Sequence, residues 1–126
     1  MNKKLVITGV ILVLLAIIFG AFGAHGLKKI ASADAIASFE TGVRYQHYSG
    51  LALLILGFSA SQIRFKLNAI YSLILSGTLL FSVSIYFLAL QEALGMELKF
   101  LGPVTPLGGT LLIVGWCLFL IKLMRQ

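Results

Sequence analysis

Three runs of this chain are too long and too apolar to be kept in water. Leu5–Ala24 and Leu67–Leu90 carry no charged residue, and Pro106–Leu123 carries only Lys122. A helix crossing the hydrocarbon core of a bilayer needs about 20 mostly apolar residues, so each run reads as a membrane span. A fourth is assigned to Tyr45–Ile63. Its purely apolar part, Leu51–Ala60, is preceded by Tyr45, Gln46, His47, Tyr48, Ser49 and Gly50. That helix is expected to begin earlier, near Asp34 or Ala35, as an interfacial stretch with Ile36, Phe39 and Val43 on one face. The expected fold is an all-α integral membrane protein. Four transmembrane helices at roughly 5–25, 35–63, 67–94 and 105–124 form an up-down bundle, one domain over residues 1–126.

Composition agrees. Hydrophobic residues make up 60% of the chain, charged ones 11%, and the mean hydropathy is +1.04. A chain of 126 residues has no core large enough to hide that surface from water. The net charge of +6 does not signal nucleic-acid binding, because the cations stand singly or in pairs at the ends of apolar runs. The run Leu5–Phe22 exceeds the roughly 7–15 residues of a signal-peptide core, which favours a retained first helix.

Punctuation sets the expected boundaries. Gly26 follows the first helix, and Arg64, Lys66 and Asn68 form a tight turn between the second and third. Gly95 stops the third, and Thr105-Pro106 supplies a cap before a first-turn proline. Lys3, Lys4, Arg64, Lys66, Lys122 and Arg125 fall at one end of an alternating bundle, against Lys28, Lys29, Arg44 and Lys99 at the other. This bias is expected to keep both termini in the cytoplasm of a bacterial inner (plasma) membrane protein.

Helix faces carry the remaining signal. Ala16, Gly20 and Gly23 on the first helix, Gly50 and Gly57 on the second, and Gly108 and Gly115 on the fourth are small-residue faces suited to close helix packing. Tyr71, Thr78, Ser82 and Tyr86 form a hydroxyl stripe on the third, and Trp116 is read as a packing residue. Glu40, Arg44 and His47 share one arc of the second helix, where Glu40 and Arg44 are spaced for an i, i+4 ion pair. His25, Glu40, Arg44, Gln46 and Tyr86 are the candidate polar pocket at the non-cytoplasmic end. No catalytic motif is present, Cys117 is alone, and two histidines are too few for a metal centre, so no catalytic, cofactor or metal residue is assigned.

With these helices in place, four segments stand out: Gly20–Leu27 (GAFGAHGL), Glu40–Gln46 (ETGVRYQ), Leu80–Leu90 (LFSVSIYFLAL) and Gly102–Gly109 (GPVTPLGG), the last followed by Gly115-Trp116. Together they resemble the domain of unknown function 423 family, small four-helix membrane proteins of bacteria with a mitochondrial relative, transmembrane protein 256. The chain departs from the family pattern where Ser49 replaces a histidine and Val83 a glycine. The resemblance implies a multi-pass plasma-membrane protein and no reaction, substrate or cofactor. The expected function is non-enzymatic: an accessory or assembly subunit, or binding of a lipid-like ligand. The alternative is an oligomeric small-molecule transporter or channel. The expected partners are the lipid bilayer and a homo-oligomer or larger membrane complex, with nucleic acid excluded.

Overall fold

The computed structural model describes residues 1–126 and is built of four long helices joined by short connections. Helix α1 runs Lys3–Ala24, α2 Ala33–Phe58, α3 Asn68–Leu90 and α4 Val104–Arg125. Three of them, α1, α3 and α4, are long and apolar enough to cross a membrane; α2 is long enough but more polar. Two of the four starts carry a side-chain cap. Asn2 caps α1 by accepting from the Leu5 N–H, and Ser32 caps α2 by accepting from the Ala35 N–H.

Three boundaries differ from the sequence expectation, one being the end of α3, at Leu90 rather than near residue 94. α2 ends at Phe58, and its continuation Ala60–Gln62 tightens into a 3₁₀ turn. α4 begins at Val104, directly after Pro103, so Pro106 sits inside the first turn. Proline is harmless there because first-turn N–H groups have no intrahelical acceptor. Thr105 is not the cap: its hydroxyl bonds Ser84 of α3 instead. At the end of α3, Gly95 takes a left-handed conformation (φ 64°), and the following N–H of Met96 returns to the Gln91 carbonyl at 3.0 Å.

α1 packs along α2 and α4 along α3, while α2 and α3 meet in the middle. Backbones approach closely at glycines in both pairs. A Cβ at Gly9 would lie 2.6 Å from the Gly50 carbonyl oxygen, and one at Gly57 would lie 2.9 Å from the Val6 nitrogen. In the other pair a Cβ at Gly77 would lie 2.9 Å from the Gly108 carbonyl oxygen, and one at Gly108 would collide with the backbone at Leu80 and Phe81. Gly108 thus crosses α3 where that helix widens into a π-turn, Leu79–Val83. The connections hold the two termini at one end. The Asn2 N–H donates to the Gly57 carbonyl at 2.8 Å, and the Arg64 N–H to the Gln126 side chain at 3.1 Å.

The interior is layered. An apolar cluster of Leu5, Leu12, Leu53, Leu56, Leu67, Ile70, Tyr71, Ile74 and Leu112 fills the half nearer the termini. A smaller one of Leu27, Phe39, Tyr86 and Ala89 fills the loop end. The buried polar side chains Gln46, Ser49, Thr78, Ser82 and Ser84 lie on α2 and α3 between the two.

Candidate functional site

Gln46 stands in the middle of α2, on the face turned to the bundle interior, and is only 4% exposed. Its amide joins three helices. Nε2 donates to the Leu12 carbonyl of α1 at 3.0 Å, and Oε1 accepts from the Tyr86 hydroxyl of α3 at 2.6 Å. Four residues earlier on α2, the Gly42 carbonyl accepts from the Ser82 hydroxyl at 2.8 Å. Gly42 has no side chain because the Tyr86 ring occupies that space, 2.7 Å from where a Cβ would be. The Tyr86 ring is gripped by Phe19 at 5.3 Å and Phe39 at 4.8 Å between centroids. This is a packed polar joint rather than a pocket, and no buried side-chain nitrogen or oxygen lacks a partner.

The other three residues assigned to a polar pocket lie elsewhere. His25 is exposed at the end of α1, with Nδ1 at 3.1 Å from the Ala21 carbonyl of its own helix. Glu40 and Arg44 are exposed on the opposite side of α2 from Gln46, since their positions on a 100° wheel fall well away from the buried arc. Arg44 donates to the Thr41 hydroxyl at 3.1 Å and not to Glu40. The structure therefore joins Gln46 and Tyr86 and separates His25, Glu40 and Arg44 from them.

Of the small-residue positions, Ala16, Gly23, Gly50, Gly57, Gly108 and Gly115 are buried in helix contacts. Gly20 is looser: a Cβ there would meet only Val43, at an ordinary 3.4 Å. The tight counterpart on α1 is Gly9. Trp116 points outward, 41% exposed, with its ring edge-on to Phe119.

Two apolar grooves of similar size open on the molecule, one on each side of the α2–α3 core. The first, about 550 Å³, lies between α1 and α3 toward the loop end and is walled entirely by apolar and aromatic side chains, among them Ile18, Phe22, Val83, Phe87 and Leu90. The second, about 560 Å³, lies between α2 and α4 and is walled by Tyr45, Tyr48, Phe81, Ile113 and Trp116. Sequence patterning could not single these residues out, because an aliphatic side chain facing a groove looks the same in a sequence as one facing lipid.

The family profile described as "Protein of unknown function (DUF423)" matches residues 19–109, which contain all four segments singled out above. The chain belongs to this family. It is 39% identical over 119 residues to a UPF0382 membrane protein of Staphylococcus aureus (strain bovine RF122 / ET3-1), covering 94% of this chain and 93% of the relative. It is 37% identical over 119 residues to one from Staphylococcus saprophyticus, with 94% and 95% covered. A further UPF0382 membrane protein, from Staphylococcus epidermidis (strain ATCC 12228 / FDA PCI 1200), is 36% identical over 123 residues, with 98% and 97% covered. No solved structure matches. With such relatives and three helices apolar enough to span a bilayer, the chain is a membrane protein of a family without assigned activity.

Proposed function

We propose that the chain is a four-span protein of the bacterial plasma membrane, folded as one domain with both termini cytoplasmic. It acts without catalysis by holding an apolar, lipid-like molecule in the α1–α3 groove at its non-cytoplasmic end. The observation that carries this reading is the contrast between a fully bonded polar interior and a groove of about 550 Å³ with purely apolar walls. Such concave apolar surfaces are where small apolar ligands bind. Lys28 and Lys29, exposed just beyond α1, stand at the level where a lipid headgroup would lie.

Two features support α2 as the fourth span. It has 26 residues, and Gln46, Ser49 and Gly50 from its polar stretch are buried against neighbours rather than turned outward. The orientation rests on six of the ten cations, Lys3, Lys4, Arg64, Lys66, Lys122 and Arg125, lying in the segments at the end that carries both termini. The transporter reading needs free hydroxyls along α3. Tyr71 bonds Thr8, Thr78 bonds the Ile74 carbonyl, Ser82 bonds Gly42 and Tyr86 bonds Gln46, which favours binding over conduction.

Native mass spectrometry from mild detergent tests the reading. The wild-type chain is expected to retain an adduct of lipid mass, and Val83→Trp, which fills the groove from its exposed wall, is expected to lose it while keeping its helicity. A wild-type protein without adduct, or an adduct that survives Val83→Trp, rejects groove binding.

A further inference from the structure

α2 turns a second ordered face outward. Ala33, Ala37, Glu40, Arg44, His47 and Leu51 follow one another at spacings of four, three, four, three and four. That is the seam spacing by which one helix packs lengthwise on another. All of these residues are exposed except the half-buried His47, and none is in the interior. α1, α3 and the core lie on the other side of the helix, against Phe39, Gly42, Gln46, Ser49, Gly50 and Leu53.

The depth of this seam is fixed by the α1–α2 contacts. Phe39 lies against Gly23, in the last turn of α1, so Glu40 is level with the end of that helix. Val43 lies against Gly20, which puts Arg44 about one turn deeper, and Gln46 reaches Leu12, which puts His47 near the middle of α1. A carboxylate, a guanidinium and an imidazole therefore descend an outward ridge along the apolar length of α1. Ionisable groups at such depth are normally turned inward or paired. Here Arg44 has only the Thr41 hydroxyl of its own helix.

We propose that this ridge docks a second copy of the chain, α2 against α2, about a two-fold axis along the membrane normal. Glu40 of each copy then pairs with Arg44 of the other, and His47 of both copies packs near the axis. The charge pattern points to a second copy. One acid and one base a turn apart, about 6 Å along the axis, can pair diagonally when two copies lie parallel, Glu40 of each reaching Arg44 of the other, and all copies inserted in one membrane share that orientation. An isologous contact forms the pair twice. Ala33 and Ala37 keep the approach close at the loop end. The inference rests on the reading of α2 as a span, which is read out separately by the accessibility of single cysteines at positions 31 and 68 in the same vesicles.

The test is step counting of single-molecule photobleaching, with a fluorophore at the C-terminus. The full chain is reconstituted at low density into vesicles of phosphatidylethanolamine and phosphatidylglycerol. The wild type is expected to bleach mainly in two steps. Glu40→Arg and Arg44→Glu each turn both diagonal Glu40–Arg44 pairs into like charges and are expected to shift the balance toward single steps by about tenfold or more. The combined reversal Glu40→Arg/Arg44→Glu restores the opposite pairing and is expected to return two-step bleaching. The residues are exposed, so folding is not at stake, and circular dichroism of each variant checks it. A wild type that bleaches in one step or in more than two, single reversals that remain dimeric, or a double reversal that stays monomeric overturns the proposal.

Discussion

In the α1–α2 pair the backbones meet at Gly9, Gly50 and Gly57; in the α3–α4 pair they meet at Gly77 and Gly108, while Gly115 packs against side chains of α3. In both pairs one glycine of the first helix meets one of the second, Gly9 with Gly50 and Gly77 with Gly108, and a second glycine seven residues on packs elsewhere on the first helix, Gly57 on Val6 and Gly115 on Leu73 and Ile74. The fastening differs. The first pair is tied by the Gln46 amide, which reaches the Leu12 carbonyl and passes on to Tyr86 of α3. The second has no buried amide: α3 widens into the π-turn Leu79–Val83 under Gly108, and the hydroxyls of Ser84 and Thr105 meet across the helices. Lipid gives no hydrophobic drive for helices to associate, so contact area and interhelical hydrogen bonds must hold each pair. One amide serving three helices couples α1–α2 to the rest of the bundle, whereas the Ser84–Thr105 bond concerns its own pair alone.

The largest effects are expected where backbone meets backbone. Gly108→Ala and Gly9→Ala each place a methyl group against main-chain atoms that have no rotamer to yield, and overpacking of this kind costs about 1–3 kcal/mol. Gly20→Ala meets only the Val43 side chain at 3.4 Å and is expected to be neutral or slightly stabilising. Thermal unfolding in detergent ranks the three. A Gly20→Ala protein as damaged as Gly108→Ala would show that the close crossings do not lie where described.

This ranking also shows how far the sequence could be read. The four helices, the small-residue faces and the Gly95 stop follow from apolar run length, spacing and the left-handed freedom of glycine. Which glycine on α1 carries the tightest contact does not, because Gly9 and Gly20 share similar surroundings in sequence and only the crossing point of α2 separates them. The Gln46–Tyr86 joint was half legible. Both residues stand out as polar groups in apolar runs, but their grouping with His25, Glu40 and Arg44 assumed that polar residues near one end converge. The 100° step of α2 instead sends Gln46 inward and Glu40 and Arg44 outward. The π-turn had no sequence signal, since it answers the approach of a helix more than twenty residues away.

Removing the amide is the next largest perturbation. Gln46→Leu keeps the volume roughly constant but leaves the buried Tyr86 hydroxyl without its acceptor. A buried polar group left unpaired costs about 1–3 kcal/mol. Tyr86→Phe removes the hydroxyl itself and is expected to cost less. The double variant Gln46→Leu/Tyr86→Phe is expected to be less destabilised than the sum of the two, because no orphaned hydroxyl remains. Additive losses in the same unfolding measurement would mean that the two side chains do not act as a unit.

The smallest expected effect tests whether the second pair depends on its polar contact at all. Ser84 is buried, and its hydroxyl also bonds the Phe81 carbonyl at 2.9 Å, within its own helix. Thr105 is half-buried near the start of α4, one turn from the Gly108 crossing. Thr105→Val is close in shape and removes one hydroxyl, while Ser84 keeps its bond to Phe81, so no buried group is stranded. Interhelical hydrogen bonds in membranes average about 0.6 kcal/mol, and the loss is expected near that figure, well below the loss for Gly108→Ala. The same α3–α4 pair should then remain closed through Gly77, Gly108 and Gly115. If Thr105→Val instead opened α4 from α3, seen as new reactivity toward a membrane-permeant thiol reagent of a cysteine placed at the buried Leu112 in a Cys117→Ser background, the hydroxyl contact rather than the glycine crossing would be the fastening of that pair.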